Sequence, residues 1–153
     1  PGEVIGFDAI NKEKYICYAI ALETLSYCKL PLEKMSLICA EIPEFQDQMF
    51  RLLSDEISTE HDLILTLSKR TADEKLAIFI MSLSNRFAKL GYSSTVFNLP
   101  MSRQEIGNYL GLAVETVSRV FTKFKRTELL DVDKKILSIK DKDALHALCG
   151  YNK

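Results

Sequence analysis

Residues 101–124, MSRQEIGNYLGLAVETVSRVFTKF, decide how the rest of the chain is read. Ser102-Arg103-Gln104-Glu105 has the form of a capping box, in which the serine hydroxyl accepts from the third helical amide and the glutamate reaches back to the cap amide. That spacing predicts a helix over 102–110. Gly107 falls inside it, at a cost of about 1 kcal/mol against alanine, which is intelligible if a second helix crosses closely there. Gly111 then permits a left-handed turn, and Ile106, Leu110, Leu112, Val117 and Val120 supply the apolar side that locks two helices together. The pattern is a helix-turn-helix, with a plain helical hairpin as the bland alternative.

On the second helix Val114, Glu115, Ser118 and Arg119 lie away from the apolar side and within the first two turns, where a recognition helix reaches base edges. Arg119 has the fork for guanine O6 and N7, Glu115 accepts from cytosine N4, and Val114 or Ser118 meets a thymine methyl. Arg103 and the later cations Lys123, Lys125 and Arg126 are candidates for backbone phosphates. A solvated basic face is the competing explanation for the last three. Beyond the helix, 129–132 and 136–139 read as two short strands around Asp133-Lys134-Lys135, a winged-helix hairpin, and 142–148 closes the domain as a short helix.

Upstream, Thr71-Ala72-Asp73-Glu74 is a second capping box. It starts a helix with Leu76, Ile78, Phe79, Ile80, Leu83 and Phe87 turned inward, ending near Gly91, where a missing Cβ suits a left-handed cap. Residues 69–71 are therefore a hinge between two helices. The preceding helix opens at Pro43, a residue that loses no needed donor in a first turn. Along it Met49, Leu53, Ile57, Ile64 and Leu67 fall 4, 4, 7 and 3 apart, with Glu60 where the seam would continue apolar.

Such a stripe suits a coiled-coil dimer, and an ordinary core-facing helix is the alternative. In a parallel homodimer Glu60 would face its symmetry mate. Two carboxylates about 4 Å apart repel by on the order of 1 to 4 kcal/mol, so Glu60 makes pairing conditional.

The first thirty residues favour strands: 3–10 and 15–30 are rich in Val, Ile, Tyr and Cys, with a polar connection at Asn11-Lys12-Glu13-Lys14. A sheet of two or three strands is rarely stable alone, so further strands are expected upstream of Pro1. The fold class expected is α+β: the end of a sensory domain over 1–42, a dimerisation helix over 43–70, and a winged helix-turn-helix domain over 71–153.

Apolar residues make up 47% of the 153-residue chain and charged residues 27%, which is the composition of a packed domain rather than a disordered one. No apolar run approaches the roughly 18 residues a membrane span requires, and the N-terminus lacks the basic start and apolar core of a signal peptide, so a cytoplasmic protein is expected. The formal net charge is -1, yet charge is unevenly placed. Residues 101–126 carry five basic side chains against two acidic, and 41–60 carry one against six, which points to phosphate at one end only. Cys17, Cys28, Cys39 and Cys149 contain no pair with the C-x2-C spacing of a zinc or redox motif and read as reduced, mostly buried thiols. Neither His61 nor His146 stands near a nucleophile or a carboxylate dyad and no phosphate loop is present, so an enzyme is not expected.

GNYLGLAVETVSRVFTKF resembles the helix-turn-helix of the CRP-FNR transcription regulators, and Glu115, Ser118 and Arg119 form an E-x-x-S-R pattern similar to that of the fumarate and nitrate reduction (FNR) branch. The resemblance extends over nearly the whole chain. PGEVIGFDAI looks like the late β-roll of that branch, ALETLSYCKLP its last roll strands, and PEFQDQMFRLLSDEIS its dimer helix.

The resemblance implies a homodimer on double-stranded DNA with TTGAT-type half-sites, activating or repressing anaerobic genes. It also implies an oxygen-labile [4Fe-4S] cluster that promotes dimerisation. Three of that cluster's cysteines lie in an N-terminal segment with no counterpart here, and Cys28 matches the fourth ligand, so the chain alone is not expected to hold the cluster. The roll is too short for a cyclic nucleotide. Loop 91–96 is similar to a region through which such activators touch RNA polymerase, and the family places an acidic residue where Glu60 stands. A regulator answering to nitric oxide or haem, and a protein-interaction module that never touches DNA, are the competing expectations.

Overall fold

A computed structural model describes residues 4–11, 14–15, 18–22 and 24–150. Cys17, much of the expected 11–14 connection and the first residue of the first expected strand lie outside them. The chain divides into two compact units, Pro1–Asp62 and Leu63–Lys153.

In the first unit a single 3-10 turn, Phe7–Ala9, precedes a second at Leu32–Lys34 that runs into helix α1, Met35–Glu41. The strands expected over 3–10 and 15–30, and with them the end of a β-roll, are not formed among the described residues, where the first strand begins at Val96. Ladder amides and carbonyls need a partner strand, and no described segment of this unit supplies one. The side chains there are turned outward: Tyr18 is 98% exposed and Ile20 83%.

Helix α2, Pro43–Lys69, opens on its proline. Ser58 and Thr59 return their hydroxyls to the carbonyls of Ser54 and Asp55 four residues back, which keeps these polar side chains on the helix. Met49 and Leu53 are half-buried, while Ile57 and Ile64 are 55% and 60% exposed. The stripe is thus open along much of its length. No helix among the described residues is long and apolar enough to cross a membrane.

The second unit is a helical layer against a small sheet. Helix α3, Ala72–Lys89, begins at a complete capping box: Thr71 Oγ1 accepts from the Glu74 amide at 3.3 Å, and Glu74 accepts from the Thr71 amide at 2.7 Å. It ends where Gly91 adopts φ 79°, with the Tyr92 amide donating back to the Phe87 carbonyl at 2.9 Å. Between α2 and α3 the Arg70 guanidinium donates to Glu74 and to the Gly150 carbonyl, each at 3.3 Å.

Strand β1, Val96–Asn98, is followed by α4, Arg103–Leu110, and α5, Val114–Arg126. Strands β2, Leu130–Asp133, and β3, Ile136–Ile139, form the hairpin, and α6, Lys142–Leu148, closes the unit. The sheet is antiparallel in the order β1-β3-β2, with Phe97 opposite Leu137 and Leu137 opposite Val132. β2 starts one residue later than the expected 129–132, because the Leu129 amide closes the end of α5 on the Phe124 carbonyl at 2.9 Å. Leu76, Ile80, Ile106, Leu110, Val117, Phe124, Leu130, Leu137 and Leu145 are all at most 1% exposed, so one core joins α3, α4, α5, α6 and the sheet. The architecture is α+β.

Candidate nucleic-acid interface

The first helix of the pair, α4, is held at its start by Ser102 and Glu105. The Ser102 amide donates to Glu105 at 2.6 Å and the Glu105 amide to Ser102 Oγ at 3.2 Å. The Ser102 amide, then its hydroxyl, and the charge of Lys135 hold the Glu105 carboxyl below its ordinary range, against a small opposing effect of burial. At the other end Lys75 of α3 donates to the Leu110 carbonyl at 3.3 Å, satisfying an acceptor that the helix cannot.

Gly111 takes the left-handed conformation, φ 62° and ψ 42°, and turns the chain into α5. The close approach expected at Gly107 is present, but α5 is not the main neighbour. A Cβ there would lie 2.6 Å from the carbonyl oxygen of Leu112 in the turn and 3.7 Å from the Val114 amide nitrogen. The turn folds back over α4 because the Leu112 amide donates to the Gly107 carbonyl at 2.9 Å.

Helix α5 has two sharply different sides. Val117, Val120, Phe121 and Phe124 are buried, whereas Glu115, Ser118 and Arg119 are exposed and Val114 is half-buried. At about 100° per residue, Ser118, Arg119, Thr122 and Arg126 all point within about 60° of the direction of Glu115. The four base-reading candidates therefore line one solvent-facing surface or its edge. Ala113 at the cap offers no side-chain acceptor to the first-turn amides.

The phosphate candidates divide. Arg126 is exposed and, like Arg119, has no ion pair among the described residues. Lys123 is paired with Asp73 of α3, and Lys125 with Asp131 of β2 at 2.7 Å. The Arg103 guanidinium lies over the Phe121 ring, 3.3 Å from its centroid, and burial pushes its pKa down from the ordinary value. Arg103 thus fastens α4 to α5, a contact across 18 positions that residue spacing does not reveal.

The residue pattern along α5 does not single out Lys134 and Lys135. Both are exposed at the tip of the β2–β3 hairpin, and Lys134 adopts φ 54°. The signal that could have found them is their place in the turn itself.

Cys28 is exposed, Cys39 half-buried and Cys149 buried. Burial pushes the Cys149 thiol up to about 11, so it is an inert packing group donating weakly to the Leu145 carbonyl. Among the described residues no group of three or more His, Cys, Asp or Glu side chains could hold a metal ion. Cys28 has no companion ligands there, and the described residues by themselves do not fit an iron-sulfur cluster.

Comparison with known proteins gives this geometry a context. The family of bacterial regulatory proteins called the crp family matches residues 99–130, from the end of β1 through the two-helix unit into β2. The chain is 47% identical over 150 residues to the "transcriptional activator protein FnrA" of Stutzerimonas stutzeri, covering 98% of this chain and 62% of that protein. It is 45% identical over 152 residues to the "fumarate and nitrate reduction regulatory protein" of Salmonella typhi, covering 99% and 61%. The chain therefore spans about three-fifths of the length of these relatives. Among solved structures, FixK2 from Bradyrhizobium japonicum shares the fold with a TM-score of 0.72 at 24% identity, over 80% of this chain and 60% of that one. The proteins it resembles are regulators rather than enzymes. Residues 99–130 thus match the crp family of bacterial regulatory proteins, and nearly the whole chain is similar to regulators of the fumarate and nitrate reduction type.

Proposed function

We propose that this chain is the DNA-reading and dimerising part of a sequence-specific transcription regulator of the FNR type. The observation that carries the reading is the two-sided α5: a fully packed apolar stripe fixes the helix, and Glu115, Ser118 and Arg119 are left on one exposed face. A helix held in this way enters a major groove as a rigid body, with its first two turns against base edges. Arg119 reads guanine, Glu115 reads cytosine, and Val114 or Ser118 meets a thymine methyl. Arg126, Lys123, Lys125 and Arg103 are the phosphate candidates from the sequence, and the hairpin lysines Lys134 and Lys135 join them.

One α5 covers one half-site. Two copies must stand about 34 Å apart on one face of the duplex, which requires a homodimer. The open stripe of Met49, Leu53, Ile57, Ile64 and Leu67, interrupted by Glu60, supports α2 as the pairing element. In the full-length protein an oxygen-responsive [4Fe-4S] cluster, with Cys28 as one ligand, would govern pairing. Loop 91–96 would meet RNA polymerase.

Fluorescence anisotropy with a palindrome of two TTGAT half-sites and with a scrambled duplex tests the DNA reading. Binding should favour the palindrome and weaken steeply with salt, and Arg119→Ala should erase the preference while leaving most non-specific binding. Equal affinity for both duplexes would remove the reading. For the cluster, the measurement is the visible absorption and iron content of the full-length protein prepared without oxygen. A colourless, iron-free dimer that still bound the palindrome would exclude it.

A further inference from the structure

The exposed side of α5 is not uniformly basic in effect. Relative to Glu115, Arg119 and Arg126 point within about 40° of the centre of the face, while Lys123 and Lys125 point about 80° to either side. Each flanking lysine is met by a carboxylate from the element beside it: Lys123 by Asp73 in the first turn of α3, Lys125 by Asp131 of β2. The central arginines have no such partner among the described residues. These carboxylates come from positions 50 and 6 residues away in sequence, and they bracket the helix from opposite sides.

We propose, building on the DNA-reading function above, that Asp73 and Asp131 are positioning residues that compete with DNA phosphates for Lys123 and Lys125. Both pairs are solvent-accessible, the lysines at 52% and 64% side-chain exposure, so a phosphate can displace either carboxylate. The exchange has a thermodynamic signature. A free lysine that meets a phosphate releases the cation condensed there, contributing about -0.9 to the slope of log K against log salt. A lysine that leaves an aspartate for a phosphate releases the same cation from the DNA, since an isolated carboxylate condenses none. It must first break its ion pair, however, which lowers affinity without changing the slope. Non-specific attraction is thereby held down at the flanks, and Arg119 and Arg126 at the centre carry more of the binding. The Asp131 carboxyl is held low chiefly by the Lys125 hydrogen bond, and Lys125 is raised chiefly by the same bond, in keeping with a pair that must be broken.

The test is the salt dependence of binding to the TTGAT palindrome and to a scrambled duplex between about 50 and 200 mM salt, the range over which phosphate contacts separate clearly. Asp73→Asn and Asp131→Asn should each leave the slope unchanged, because the same phosphates are met. Each should also raise affinity for the scrambled duplex about two- to fivefold, the range of an exposed ion pair. In a Lys123→Gln background Asp73→Asn should change neither. Persistence of its effect there would show a general charge effect and overturn the pairing. Lys123→Gln alone, which leaves the α3 cap intact, should make the slope shallower by about 0.9 per subunit, and an unchanged slope would show that Lys123 meets no phosphate and overturn the proposal even if the aspartate variants failed to fold. A parent protein that shows no salt-dependent binding to either duplex would instead remove the DNA reading itself.

Discussion

The carbonyl oxygen of Leu112 lies 2.6 Å from the point that a Cβ on Gly107 would occupy. No ordinary Cβ sits so near a backbone atom, and the turn cannot retreat without moving the start of α5. In Gly107→Ala the gain in helix propensity is about 1 kcal/mol. Overpacking against backbone costs about 1–3 kcal/mol, so the balance is destabilising. Gly111→Ala differs in kind: nothing lies within 4 Å of its Cβ, and the cost is the left-handed φ of 62° alone, roughly 1–2 kcal/mol. Thermal denaturation should show both variants less stable. The Gly107 variant should in addition lose palindrome preference, because α5 is displaced, whereas the Gly111 variant should retain it once folded.

The stacking of Arg103 on Phe121 separates packing from phosphate binding. If the guanidinium chiefly fastens α4 to α5, Arg103→Gln should destabilise the protein by about 0.5–2 kcal/mol in urea unfolding. Its salt slope for DNA should stay unchanged. A slope shallower by about 0.9 at unaltered stability would instead return Arg103 to the phosphate group. Phe121→Leu in the Arg103→Gln background should cost less than in the parent, since the pair is already broken.

What was legible in the sequence was local. The two capping boxes span four residues each, and the positions of α4, β3 and α6 follow from caps, a turn and short apolar runs. The left-handed turn at Gly111 was readable for the same reason. At Gly107 spacing announced a close approach but could not say that the neighbour is the turn's own carbonyl. The strands expected before residue 30 depended on partners far off in the chain, and β composition without a ladder leaves Tyr18 and Ile20 exposed. The site shows the same divide. The outward placement of Glu115, Ser118 and Arg119 follows from helix periodicity, whereas the capture of Lys123 by Asp73 and of Lys125 by Asp131 depends on tertiary neighbours.

Acid should loosen the second unit through its caps. Glu74 is held below its ordinary value of 4.5 by hydrogen bonds from the Thr71 amide and hydroxyl, and Glu105 likewise by Ser102. Each binds fewer protons folded than unfolded, so stability rises with pH across the interval between the two pKa values. The contribution is complete above about pH 4.5 and is lost as pH falls through the depressed folded values. The urea midpoint should therefore be level at higher pH and drop below that point. Glu105→Gln, which keeps the shape but cannot titrate, should make the drop shallower. An acid limb identical to the parent's would show that Glu105 carries no part of it.

Pairing along α2 should be set by a single charge. Ile57, Ile64 and Leu67 are 55%, 60% and 37% exposed, so the stripe offers apolar area to a second copy, and Glu60 lies exposed within it. In a parallel homodimer the two Glu60 carboxylates meet, and their repulsion of on the order of 1 to 4 kcal/mol opposes association. Glu60→Ala removes it, so the dimer dissociation constant in sedimentation equilibrium should fall at least about fivefold. Ile64→Glu should raise it. On the proposed reading a palindrome takes two copies of α5, so the same Glu60→Ala variant should half-saturate the TTGAT duplex at lower protein concentration while leaving affinity for an isolated half-site unchanged. An unchanged dissociation constant would mean that Glu60 does not face its mate, and the control of pairing would have to be sought elsewhere on α2.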